Sequence, residues 1–120
     1  MIGVVIVEDN EVFREALEIL LGLAPDVEVV ASVADGESAL AACRERRPDV
    51  VLVDYRLPGL DGVETIRAIL ADRPETRVVV LTAQADAPEV DALLGAGAVA
   101  CLTKDRELEV IVAAIRDAAR

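Results

Sequence analysis

Glu8, Asp9 and Asp54 stand directly behind apolar runs, the first two after Ile2–Val7 and the third after Val50–Val53. If the fold gathers them, three carboxylates share one pocket. At an effective dielectric of ~20, two like charges ~4 Å apart cost roughly 4 kcal/mol, so such a cluster takes up protons, loses stability or binds a cation. Oxygen-only ligands with room for water suit Mg²⁺ or Mn²⁺. Lys104 is the single lysine among 12 basic residues and follows the run Ala98–Leu102, and its ammonium is a compact point charge for an anionic oxygen. Thr82 adds a hydroxyl behind Val78–Leu81. An acceptor carboxylate, a cation site, an ammonium and a hydroxyl together suit a phosphoryl group in transfer.

The elements that must position these residues follow from the hydrophobic pattern. Ile2–Val7, Val27–Val33, Val50–Val53, Val78–Leu81 and Ala98–Leu102 fit five buried strands. Amphipathic stretches lie between them, such as Phe13, Ala16, Leu17 and Leu20 set against Glu11, Arg14, Glu15 and Glu18. Asn10, Asp35, Asp61, Asp86 and Asp105 are candidate N-caps for five helices. Alternating strands and helices predict an α/β fold, a doubly wound five-stranded parallel sheet of order 2-1-3-4-5. That order makes the first and third strands neighbours, and ligands bind beyond their carboxyl ends where the winding reverses. The three carboxylates belong there.

Composition narrows the functions. The 120 residues, 54% of them hydrophobic, fit one domain spanning 1–120. A net charge of −11 repels a nucleic-acid backbone, and an aromatic content of 2% leaves no rings for stacking bases, so this chain is not expected to bind nucleic acid directly. The absence of histidine removes Ser-His and Cys-His nucleophile pairs. Cys43 and Cys101, 58 residues apart, read as small buried hydrophobes in a reducing compartment. With no signal-like segment and no apolar run near the ~20 residues of a membrane span, a cytoplasmic location without membrane contact is expected.

Glu8-Asp9, Asp54-Tyr55-Arg56-Leu57-Pro58-Gly59-Leu60-Asp61-Gly62, Thr82-Ala83 and Lys104-Asp105 closely resemble the motifs of a bacterial response-regulator receiver domain, in order and over the whole chain. The Lys-Asp ending and the start of the second helix resemble the NarL/FixJ (LuxR-type) class. The resemblance implies a flavodoxin-like fold in which Asp54 accepts a phosphoryl group from the phosphohistidine of a sensor histidine kinase. It implies that Asp9, Asp54 and the backbone carbonyl of Arg56 ligate Mg²⁺ while Glu8 acts through a coordinated water. It further implies that Thr82 and Lys104 bind the phosphoryl oxygens. Such a domain modifies itself and turns over no separate substrate. Phosphorylation would alter the face of the fourth helix, fifth strand and fifth helix, with a homodimer and an appended DNA-binding domain as readouts.

The chain departs from the family pattern in three places. Cys101 stands where many receivers carry Tyr or Phe, so phosphorylation is expected to change little around it. Arg56 and Gln84 hold the positions that set how fast water removes the phosphoryl group, and the guanidinium predicts a persistent phosphoform. Lys104-Asp105 replaces the family's Lys-Pro.

Other readings remain on these residues. A flavodoxin-like cofactor binder calls for a Ser/Thr/Gly-rich phosphate loop where Glu8-Asp9-Asn10 stand. An aspartyl phosphatase favours a carboxylate two residues after Asp54, where Arg56 stands. A phosphorylation-independent interaction module on the receiver fold needs neither, and Pro58-Gly59 suits a tight turn under any reading.

Overall fold

The computed structural model describes residues 1–54, 62–83 and 86–120. Its elements are β1 (Ile2–Val7), α1 (Glu11–Leu21), β2 (Val27–Val33), α2 (Gly36–Arg46), β3 (Val50–Asp54), α3 (Gly62–Asp72), β4 (Arg77–Thr82), α4 (Ala87–Gly95), β5 (Ala100–Thr103) and α5 (Leu108–Ala119). All strand pairs are parallel and the order is β2-β1-β3-β4-β5, as the alternation of strand and helix predicts. Among the described residues no helix is long and apolar enough to cross a membrane.

Side chains alternate across a strand, so a sheet covered on both faces needs apolar residues at both parities. Val4, Ile6, Val50, Leu52, Val79 and Leu81 pack with Leu17, Leu21, Ile111 and Ile115 of α1 and α5. Val5, Val7, Val51, Val53, Val78 and Val80 face the opposite way, onto Ala39, Cys43, Ile66, Ile69 and Leu93 of α2, α3 and α4. With both faces filled, a polar side chain on a central strand has room only at the strand's end.

Three caps follow the sequence expectation. Asn10 accepts from the Phe13 N–H, Asp35 from that of Ser38, and Asp86 forms a reciprocal capping box with Glu89. Asp61, Pro58 and Gly59 lie outside the described residues. The expected cap at Asp105 is corrected: α5 starts at Leu108 with Glu107 as the flanking residue, and the Asp105 carboxylate accepts the Thr103 hydroxyl instead. The peptide bond between Lys104 and Asp105 is trans.

The start of β5 is also corrected, from Ala98 to Ala100. Gly97, at φ +119°, reverses the chain after α4: its N–H donates to the Leu94 carbonyl and that of Ala98 to Leu93. These two bonds close the helix and use Ala98 in the turn before the strand begins.

Candidate functional site

Parallel pairing brings the carboxyl ends of β1, β3, β4 and β5 to one edge of the sheet. Val7 pairs with Val53, Asp54 with Leu81, and Thr82 with Thr103, so Glu8, Asp54, Thr82 and Lys104 emerge on the same side. The prediction that Glu8, Asp9 and Asp54 converge is met: one carboxylate oxygen from each lies within 4.8 Å of the others. Glu8 is 2% exposed and Asp54 6%, whereas Asp9 faces solvent.

Backbone bonds fix this edge. The Glu8 N–H donates to the Val33 carbonyl at 2.9 Å and the Lys104 N–H to the Thr82 carbonyl at 2.7 Å, tying β1 to β2 and β5 to β4 beyond their last residues. On the Glu8 side chain, Oε2 accepts from the Asn10 N–H at 3.0 Å, and the Glu8 carbonyl accepts from Arg14 Nη1 at 2.9 Å. The β1–α1 connection that carries Asp9 is thereby held at both ends.

Lys104 Nζ stands 2.6 Å from Glu8 Oε1 and 3.2 Å from Asp54 Oδ2. Burial lifts the Glu8 carboxyl from 4.5 to about 7, against the hydrogen bonds from Lys104 and the Asn10 N–H and with the help of the neighbouring Asp54. Burial works against the charge on Lys104 as well, but its bonds to Glu8 and the two carboxylate charges outweigh that and raise its pKa above the ordinary value. The ammonium also lies over the Phe13 ring, 4.9 Å from its centroid.

The donor set can be weighed for a metal on these terms. Three carboxylates and one ammonium leave the group with a formal charge of −2 when all are ionised, and one carboxyl is pushed toward its neutral form by burial. Oxygen ligands, excess negative charge and one solvent-facing side fit a hard divalent cation that keeps several waters.

Of the residues singled out in the sequence, Glu8, Asp9, Asp54 and Lys104 come together, and Thr82 is buried at the adjacent strand end. Arg56 and Gln84 lie outside the described residues. Cys101 is half-buried, with burial pushing its thiol pKa up. Three neighbours escaped the sequence reading. Asn10 reads as a helix cap but reaches Glu8 through its backbone N–H, Arg14 reads as a solvent-facing charge but its guanidinium donates to the Glu8 carbonyl, and Phe13 reads as one more core position of an amphipathic helix.

Comparison with known proteins bears on the same residues. The family model described as response regulator receiver domain matches residues 4–116. The transcriptional regulatory protein DegU of Brevibacillus brevis is 34% identical over 115 residues, which is 96% of this chain and 49% of that protein. The response regulator GacA of Pseudomonas aeruginosa is 38% identical over 116 residues, covering 97% and 54%. The chain therefore spans about half the length of these curated relatives. Among solved structures, the signal receiver domain of a Mycobacterium tuberculosis response regulator designated NarL superposes with a TM-score of 0.94 at 36% identity, covering 98% of this chain and 95% of that one.

Proposed function

The chain belongs to the response regulator receiver domain family, in the NarL/FixJ-like class, and we propose that Asp54 is its phosphoacceptor. The observation that carries this reading is the convergence of Glu8, Asp9 and Asp54 with the Lys104 ammonium at the carboxyl end of the sheet. An Asp54 oxygen forms the new O–P bond while the P–N bond of a phosphohistidine on a sensor kinase breaks, and the electron pair returns to the ring nitrogen. Lys104 is already drawn to the Asp54 carboxylate and can follow the charge onto a phosphoryl oxygen. The Thr82 hydroxyl serves another. Positioning and charge neutralisation dominate such a transfer, so no histidine is needed on this side.

Glu8, Asp9 and Asp54 would hold Mg²⁺, with the Arg56 carbonyl added by family resemblance. When bound, the ion neutralises negative charge on the carboxylates and the phosphoryl group. Asp54 then changes from a carboxylate to an acyl phosphate, and the added charge acts on Thr82, the residues after it, and the face of α4, β5 and α5. By family resemblance the domain would belong to a cytoplasmic transcriptional regulator and, alone or as a homodimer, control a DNA-binding domain; the name of a relative, a transcriptional regulatory protein, supports the regulatory role.

The test is incubation with acetyl phosphate and MgCl₂, scored by intact mass. The wild type is expected to gain one phosphoryl group, while Asp54→Asn gains none and neither protein gains any in EDTA. No gain on the wild type favours the phosphorylation-independent interaction module. Sustained release of phosphate from other phosphate esters favours the phosphatase.

A further inference from the structure

The chain contains one phenylalanine and one lysine, 91 positions apart, and the fold stacks them. Lys104 Nζ lies 4.9 Å from the centroid of the Phe13 ring, while Glu8 Oε1 and Asp54 Oδ2 approach it at 2.6 and 3.2 Å. The ammonium is held between two carboxylates and an aromatic face, an arrangement whose attraction comes from the ring quadrupole and grows as water is excluded. Only 21% of the lysine side chain is exposed. The ring and the lysine border a common cavity of about 140 Å³ with Ala16, Leu20, Leu108 and Ile111, so the two side chains share one apolar-lined pocket.

The ring's place is set by the loop that sets the carboxylates. Asn10 Oδ1 accepts from the Phe13 N–H at 2.9 Å, and Arg14, the next residue, donates to the Glu8 carbonyl. The first turn of α1 is thus fixed on the end of β1, and Phe13 projects from that turn toward the end of β5.

We propose that Phe13 is a positioning residue for phosphoryl transfer: its face holds the Lys104 ammonium at the mouth of the pocket, where it meets the phosphoryl oxygens. This rests on the reading of Asp54 as phosphoacceptor. A long, flexible lysine chain has many rotamers to lose, and a ring that restricts them before the phosphoryl donor arrives lowers the cost of ordering it during transfer. Aliphatic side chains of similar volume keep the wall and lose the attraction.

Because each residue type occurs once, both can be addressed singly. Replacing phenylalanine biosynthetically with mono-, di- and trifluorinated analogues weakens the ring quadrupole at Phe13 alone, and ¹³C-labelled lysine gives one NMR spin system. The ε-methylene protons of Lys104 are expected upfield in the wild type and in Phe13→Tyr, and near their free-lysine position in Phe13→Leu. The rate of acetyl phosphate-driven phosphorylation is expected to fall stepwise with ring fluorination, to drop roughly three- to thirty-fold in Phe13→Leu, and to stay within about twofold of wild type in Phe13→Tyr. A purely structural wall does not produce the stepwise dependence. Asp54-dependent phosphorylation at one rate across the fluorinated series overturns the role of Phe13 and leaves the phosphoacceptor reading intact. A lysine signal identical in wild type and Phe13→Leu overturns the contact itself. Failure of the wild type to be phosphorylated overturns the phosphoacceptor reading and the positioning role together.

Discussion

Lys104 Nζ is closer to Glu8 Oε1, at 2.6 Å, than to Asp54 Oδ2, at 3.2 Å, so the ammonium leans on the more buried carboxylate and only partly on the proposed acceptor. That lean leaves Asp54 the easier partner to exchange for a phosphoryl oxygen. It also makes the lysine a counter-charge for the acidic cluster in the absence of a divalent ion. Lys104→Met keeps the stem and removes the charge. It is expected to lower the unfolding free energy in EDTA by about 3 kcal/mol, the low end of the cost of breaking a buried ion pair from one side, since the lysine keeps some contact with solvent. Urea unfolding with and without MgCl₂ checks this, because the variant is expected to gain more stability from magnesium than the wild type does. Equal gains in the two proteins would show that the ammonium takes no part in balancing the cluster.

Gly97 sits at φ +119°, a conformation open to glycine and strained for any other residue. A β-carbon there runs into the side chain of Leu70, whose flexible end can move aside, so the backbone sets most of the penalty. Gly97→Ala is expected to cost at least about 1 kcal/mol in chemical denaturation. The residue precedes β5 at the edge of the sheet opposite the carboxylates, so the rate of phosphorylation below the unfolding transition is expected to be unchanged. A slower rate at full occupancy of the native state would mean that this turn communicates with the pocket.

How far the sequence discloses this site depends on the kind of contact. Glu8, Asp9, Asp54 and Lys104 are legible because strands buried on both faces leave polar residues nowhere but the strand ends, and parallel topology puts those ends together. The partner of Lys104 is less legible. Residue type marks it as an anion binder, but its lean toward Glu8 depends on the depth to which β1 buries that carboxyl. Phe13 shows the right helical phase for the core, yet its meeting with Lys104 depends on how α1 packs on β1 and beside α5, a tertiary fact with no local signature. Asp105 misleads for a related reason: a short acidic side chain before a helical run suits a cap, and a neighbouring hydroxyl on Thr103 competes for it.

Cys43 and Cys101 should be quiet thiols. Burial pushes Cys43 up to about 11 and also raises Cys101, and only the thiolate is nucleophilic. At about pH 8 the native protein is expected to react with Ellman's reagent far more slowly than the urea-unfolded chain, which releases two equivalents. Phosphorylation is expected to leave Cys101 slow, since no aromatic ring stands there to swing between two positions. A Cys101 that becomes fast only in the phosphorylated protein would instead establish that β5 moves when Asp54 is modified.

Arg116 Nε and Nη2 each lie 2.7 Å from an oxygen of Asp26, a two-pronged pair that fastens α5 to the turn before β2. The guanidinium holds the Asp26 carboxyl below its ordinary 3.8. A carboxylate depressed by folding releases its proton more readily in the native state than in the unfolded one. Its contribution is therefore complete above the unfolded value and is lost as pH falls through the lower folded value. Asp26→Asn is expected to be less stable than wild type at neutral pH and to converge with it as pH falls through the lowered folded value, giving a flatter acid limb. Thermal melts across that range check the convergence. Both partners are open to solvent, so the neutral-pH difference should also shrink in about 1 M NaCl, where charges are screened within about 3 Å. A difference that persists unchanged in acid and in high salt would mean that the pair acts through packing rather than charge.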